Sequence, residues 1–166
     1  MMAEVHEECG LFGIYSNDGA NVVEDTYLAL YALQHRGQES AGIAVNDGGI
    51  ITAFKDTGIV SEIFTPDRLS RLGNGKIAVG HVRYAPSSEL DRASAQPLVM
   101  RYVKGAIAIG HNGSLVNSYQ LKKKFEEKGA VFQTNCDAEI IAMLIASHRL
   151  DAGSAEKGRS KSDGRA

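Results

Sequence analysis

Residues 9–15, Cys-Gly-Leu-Phe-Gly-Ile-Tyr, read as a strand that begins almost at the amino terminus and has a thiol as its first side chain. Two later segments echo each other: Ile77-Ala78-Val79-Gly80-His81 and Ile107-Ala108-Ile109-Gly110-His111. Each is a short apolar run that ends at a glycine and then a polar cluster, the pattern of a buried strand meeting a sheet edge. Two copies are too few for a repeat architecture, which needs about three units or more. The echo predicts neighbouring strands that deliver side chains to one edge.

Working outward, Asn21 is placed to cap a helix with Glu24 at the capping-box position, and Val23, Tyr27 and Leu30 follow at helical spacing. Gly37 sets the end of that helix near His35. Residues 42–45 and 50–55 are apolar runs split by Asn46-Asp47-Gly48-Gly49, a strong hairpin signal. Residues 56–75 read as loop with one short helix. Asn117 with Gln120 predicts a second helix to about Lys128, stopped by Gly129. A third starts near Asp137, with Ile140, Ile141, Leu144 and Ile145 as its buried stripe. After Leu150 no large apolar residue remains, so residues 151–166 are expected to be a disordered polar tail.

Composition narrows the classes. The 166 residues are 43% hydrophobic and 23% charged, which suits one domain with a real core. Eighteen glycines are roughly 11% of the chain, above the usual 7% or so, without a Gly-X-Y period. A net charge of -2 favours neither nucleic acid nor an anionic membrane. No apolar run approaches a membrane span, and the acidic start Met-Met-Ala-Glu-Val-His-Glu-Glu is not a secretory signal. Two cysteines far apart, Cys9 and Cys136, fit a reducing cytoplasmic setting.

The chemistry starts with Cys9. On position alone it is best read as a small buried thiol on an edge strand. If residues 1–8 were removed, however, it would carry a free α-amine of pKa about 7.7–8, a usable base for its own thiol. His81-Val82-Arg83-Tyr84 and His111-Asn112-Gly113 both sit where loops leave a sheet. Arg83 offers a planar fork of donors for a carboxylate. Asn112-Gly113 offers a side-chain amide and an accessible backbone N–H, the two donors an oxyanion hole requires. Asp137 suits a substrate ammonium group, or equally an ordinary helix cap. No short metal-ligand spacing links Cys9, His81, His111 and Asp137, so no metal site is expected. Asn112-Gly113-Ser114 matches a glycosylation acceptor by chance, and Lys122-Lys123-Lys124 is the solvated side of a helix.

Taken together, Cys9-Gly-Leu-Phe-Gly-Ile, His35-Arg-Gly-Gln-Glu-Ser-Ala-Gly-Ile, Gly80-His-Val-Arg-Tyr, Ala95-Gln-Pro, Gly110-His-Asn-Gly-Ser-Leu-Val-Asn and Cys136-Asp-Ala-Glu resemble the glutaminase domain of the amidophosphoribosyltransferases, a class II glutamine amidotransferase domain. The motifs stand in family order over residues 9 to about 146. His-Arg-Gly-Gln-Glu-Ser separates the chain from the glucosamine-6-phosphate synthases, which typically have Tyr-Asp in place of Gln-Glu, and from the asparagine synthetases.

The resemblance implies an α+β N-terminal-nucleophile hydrolase, a four-layer αββα sandwich of antiparallel sheets. It casts Cys9 as nucleophile with its own freed amine as base, Asn112 and Gly113 as oxyanion hole, Arg83 on the glutamine α-carboxylate and Asp137 on its α-amine. Ammonia released through a Cys9 thioester would pass to phosphoribosyl pyrophosphate in purine synthesis. The implied organisation is a propeptide-like leader at 1–8, a partial glutaminase domain at 9–150 and the polar tail at 151–166. Glutamine is the implied ligand and a homo-oligomer the family's habit. No cofactor is expected in this chain; Mg2+ belongs to the transferase domain, and an iron–sulfur cluster to some members. Three departures stand out. Ala85-Pro86 replaces the usual Ser-Thr, removing a hydroxyl that could contact glutamine. The transferase domain and the cluster cysteines are absent from these residues. Further strands of the sandwich are also expected after the third helix, where this chain turns polar. Two other readings remain: a non-catalytic truncated remnant or interaction module, and an ammonia supplier to a separate synthase subunit.

Overall fold

The structure, a computed structural model, describes residues 9–84 and 92–162, with side chains described through Arg149. The residue 1–8 leader and the Ala85-Pro86 departure therefore lie outside the described residues. The first strand is β1 (Gly10–Tyr15), followed by α1 (Val22–Ala32) and a single 3-10 turn at Gln34–Arg36. Asn21 caps α1 as expected, its side chain accepting the Glu24 N–H at 3.2 Å. The expected hairpin is β2 (Ser40–Asp47) and β3 (Ile50–Thr57), paired through Asp47 and Ile50. Residues 56–75 hold two short helices rather than one, α2 (Val60–Ile63) and α3 (Pro66–Ser70). β4 (Ile77–Arg83) then inserts between β1 and β2, so the first sheet is antiparallel in the order β1–β4–β2–β3.

The period-2 alternation of these strands sets the layers. Ala78, Gly80 and Val82 of β4 pair with Val45, Ile43 and Ala41 of β2 and share one face. That face packs on Val22, Val23 and Leu30 of α1 and on Val60 and Ile63 of α2, forming the main core. Leu30 is fully buried there. Truncating it (Leu30→Ala) is expected to cost about 3 kcal/mol, read as a lower urea midpoint at unchanged slope.

The opposite face, with Leu11, Gly42, Lys55, Val79 and His81, looks toward a second sheet of β5 (Leu98–Tyr102) and β6 (Gly105–Ile109). Lys55 Nζ reaches across to the carbonyls of Ala93 and Ala95 at 2.9 and 2.5 Å. Gly42 has no side chain because the Gln96 carbonyl occupies the place a Cβ would take. After α4 (Ser118–Glu126), the last helix α5 (Asp137–Ser162) packs on β5 and β6. The layers thus run α1, first sheet, second sheet, α5.

Several expectations are corrected. The echoing strands β4 and β6 are not neighbours in one sheet. They belong to facing sheets, and β6 pairs with β5, a strand the sequence pattern did not single out. Their similarity reflects a shared environment, an apolar strand running into a polar edge. Asn117 precedes α4 but its side chain makes no cap bond, whereas Gly129, at φ +87°, ends the turn as expected and lets Ala130 N–H reach Phe125 O. In α5, Ile140 is buried with Ala138 and Ala142, but Leu144 and Ile145 are 37% and 39% exposed. Two five-residue strands offer too short a bed for the whole apolar stripe. The helix α5 itself extends to Ser162. Extending an existing helix avoids the nucleation cost, and Ala152, Ala155, Glu156, Lys157 and Arg159 are favourable helix residues.

Candidate active site

Antiparallel pairing brings the start of β1, the end of β4, the start of β5 and the end of β6 to one end of the two sheets. Four of the five residues singled out from sequence, Cys9, Arg83, Asn112 and Gly113, lie on those strand ends or the loops leaving them; Asp137 opens α5.

Cys9 is half-buried, and its backbone lies at φ +63°, the left-handed region that non-glycine residues rarely enter. Such strain costs of order 1–3 kcal/mol and persists only where surrounding contacts enforce it. Here Arg36 supplies two of them. Cys9 N–H donates to the Arg36 carbonyl at 3.1 Å, and Arg36 Nε donates to the Cys9 carbonyl at 2.8 Å. The Cys9 thiol points toward the Tyr84 carbonyl, 3.8 Å from Sγ. The thiol therefore sits beside the end of β4, next to Arg83.

The loop after β6 is held at two points. His111 N–H donates to Gln96 Oε1 at 2.6 Å, and Leu115 N–H donates to Asp137 Oδ2 at 2.6 Å. Asn112 and Gly113 lie between them and are exposed, with Gly113 at φ +136°, a conformation open to glycine alone at ordinary cost. Asp137 thus turns one carboxylate oxygen to this loop. Gln96 Nε2 also donates to Cys136 Sγ at 3.3 Å.

Electrostatics tie the remaining groups together. Burial pushes the Cys136 thiol above its ordinary value; Asp137 adds to the rise, while Arg83 and Lys55 oppose it. The cationic and anionic candidates therefore both act on the same half-buried sulfur. His81 is fully buried between the sheets, and neither ring nitrogen has a hydrogen-bond partner among the described residues. Burial drives its pKa down from 6.5 to about 4; the nearby His111 backbone opposes this, and the Arg83 and His111 charges add to it. Among the described residues no group of three His, Cys, Asp or Glu side chains is placed to hold a metal ion, and no helix is long and apolar enough to cross a membrane.

Sequence reasoning gave no role to Arg36 or Gln96, although both stood in the quoted motifs. Arg36 acts through the backbone of Cys9, and Gln96 through the His111 backbone and the Cys136 thiol; contacts so distant along the chain leave no spacing signature. A glutamine just before an apolar strand was the one available sign, since a buried amide requires partners.

A family model described as a glutamine amidotransferase domain matches residues 64–155. The chain belongs to that family. This glutamine amidotransferase domain is 46% identical over 149 residues to the amidophosphoribosyltransferase of Bacillus subtilis (strain 168), covering 87% of this chain and 31% of the relative. It is 45% identical over 142 residues to that of Methanocaldococcus jannaschii, covering 86% and 30%. Against the Mus musculus enzyme it is 40% identical over 149 residues, covering 86% and 29%. The chain spans about a third or less of the length of these relatives. Among solved structures, one described as the allosteric regulatory enzyme of purine biosynthesis superposes with a TM-score of 0.74 at 45% identity, covering 81% of this chain and 29% of the other. The glutamine phosphoribosylpyrophosphate amidotransferase from B. subtilis, complexed with ADP and GMP, gives a TM-score of 0.71, again at 45% identity, covering 81% and 28%. The α+β architecture of the glutamine amidotransferase domain is that of the N-terminal-nucleophile hydrolases.

Proposed function

We propose that this domain hydrolyses glutamine with Cys9 as nucleophile. The observation that carries the reading is the convergence, at one end of the facing sheets, of a half-buried cysteine, an arginine, an exposed Asn-Gly loop and an aspartate. Once residues 1–8 are removed, the Cys9 nitrogen is a free amine, and the Arg36 carbonyl is placed to accept one of its hydrogens. That amine takes the thiol proton as Sγ attacks the side-chain amide carbon of glutamine. Negative charge builds on the amide oxygen, and the Asn112 side-chain amide and the Gly113 N–H are the donors assigned to it. The ammonium formed at Cys9 returns the proton to the leaving nitrogen, and ammonia departs. Water then adds to the γ-glutamyl thioester, releasing glutamate and restoring the thiol. Arg83 binds the α-carboxylate of glutamine through its fork of donors, and Asp137 its α-ammonium, sharing its carboxylate between substrate and Leu115.

Each step uses protein groups, glutamine and water, so the hydrolysis needs no cofactor. In a protein that also contains a phosphoribosyltransferase, the ammonia passes to phosphoribosyl pyrophosphate as the nitrogen source of purine synthesis, as the names of the relatives suggest. Two cysteines so far apart in the sequence suit a reducing cytoplasmic setting for that work.

Incubating the purified chain with glutamine and assaying glutamate tests the reading. Release that disappears in Cys9→Ala, from a chain whose intact mass shows residues 1–8 removed, supports it. The absence of Cys9-dependent glutamate overturns it and leaves a non-catalytic module.

A further inference from the structure

We propose that Gln96 is a positioning residue that holds the Asn112-Gly113 loop in register with the segment carrying Asp137; the proposal rests on the glutaminase reading above. Gln96 is only 5% exposed, and both ends of its side-chain amide are engaged. Oε1 accepts the His111 N–H at 2.6 Å, and Nε2 donates to Cys136 Sγ at 3.3 Å. One side chain thus bridges the residue before the oxyanion pair and the residue before Asp137.

The mount of this bridge is itself fixed from the first sheet. The Gln96 carbonyl packs against the bare Cα of Gly42 on β2, and Lys55 on β3 holds the preceding Ala95 carbonyl at 2.5 Å. Position is therefore transmitted from β2 and β3, through Gln96, to the His111 amide. The other end of the loop is tied by Asp137 at Leu115. Only residues 112–114 lie between the two ties, and they include both proposed oxyanion donors.

An oxyanion donor accelerates reaction to the extent that it is already in place, and an error of about 1 Å costs on the order of 10²-fold. The position requires an acceptor toward His111 and a donor toward Cys136 on one short planar group. Glutamine supplies both. Glutamate keeps the acceptor toward His111, while methionine fills the volume and keeps neither.

The test compares steady-state glutaminase kinetics of the processed chain with those of Gln96→Met and Gln96→Glu. Melting temperature and the rate of Cys9 alkylation by iodoacetamide are measured beside them, because alkylation uses the thiol but no oxyanion donor. Gln96→Met is expected to lose about 10²-fold in kcat, with KM for glutamine changed less than about threefold and alkylation unchanged. Gln96→Glu is expected to recover most of that loss. Unchanged kcat in Gln96→Met overturns the proposal, as does a loss matched by equally slowed alkylation, or a glutamate variant no better than methionine. Should Gln96→Met not fold, Cys136→Ala removes one anchor of the bridge. A kcat loss at constant KM is then expected, and full activity overturns the proposal. Glutamate release that survives Cys9→Ala defeats the glutaminase reading itself, whereas Cys9-dependent release untouched by Gln96→Met defeats only the positioning role.

Discussion

Asn112→Ala is expected to lower kcat for glutamine hydrolysis by about 10²–10³-fold, with little change in KM. The asymmetry follows from where the charge appears. In bound glutamine the amide oxygen is neutral, and the loss of one donor is small. In the tetrahedral intermediate that oxygen is an anion, and the Asn112 amide would be one of two groups meeting it. Asn112 is exposed on a loop tied at His111 and Leu115, so its truncation removes no core contact and leaves stability within about 0.5 kcal/mol. Kinetics that show KM rising at constant kcat would assign Asn112 to ground-state binding instead.

The second large effect concerns acid. His81 has no exposed surface, and its folded pKa lies near 4 against 6.5 for the ordinary group. As pH falls through about 6.5 the unfolded chain takes up a proton that the folded chain refuses until about 4. The neutral ring therefore contributes its full stabilisation above about pH 6.5, loses it progressively between 6.5 and 4, and changes nothing further below that. At about 1.4 kcal/mol per pH unit the loss approaches roughly 3 kcal/mol. Urea unfolding at several pH values checks it: the parent chain should lose stability across this window, and His81→Leu should show a flatter profile. Equal slopes in the two proteins would show that His81 does not carry the effect. His81 shares the inter-sheet face with Leu11 of β1 and lies near Gly110, at the root of the loop that carries the proposed oxyanion donors.

Much of this was legible in the residues, for local reasons. The Asn46-Asp47-Gly48-Gly49 turn and the Asn21 cap are short-range chemistry, and both form where the sequence puts them. What failed was long-range. Ile77–His81 and Ile107–His111 are each strands, but nothing in either run states which partner it pairs with, and they lie in opposite sheets. Leu144 and Ile145 have the spacing of a buried stripe, yet burial depends on how much sheet lies beneath α5. The site follows the same division. Cys9, Arg83, Asn112 and Asp137 could be singled out because their side chains have recognisable chemistry, and Gly113 because it follows Asn112 and leaves its backbone N–H accessible. Arg36 and Gln96 escaped because their contribution is a set of long-range hydrogen bonds, from Arg36 to backbone across 27 residues and from Gln96 to the His111 backbone and the Cys136 thiol across 15 and 40.

The central claim is that Cys9 attacks glutamine once its own amine is free. Mass spectrometry of the chain quenched in acid during turnover tests it most directly. The prediction is a polypeptide that starts at Cys9 and carries a γ-glutamyl group on the Cys9 peptide, absent when glutamine is omitted. An adduct on Cys136, or full-rate glutamate release from a chain that keeps residues 1–8, would contradict it.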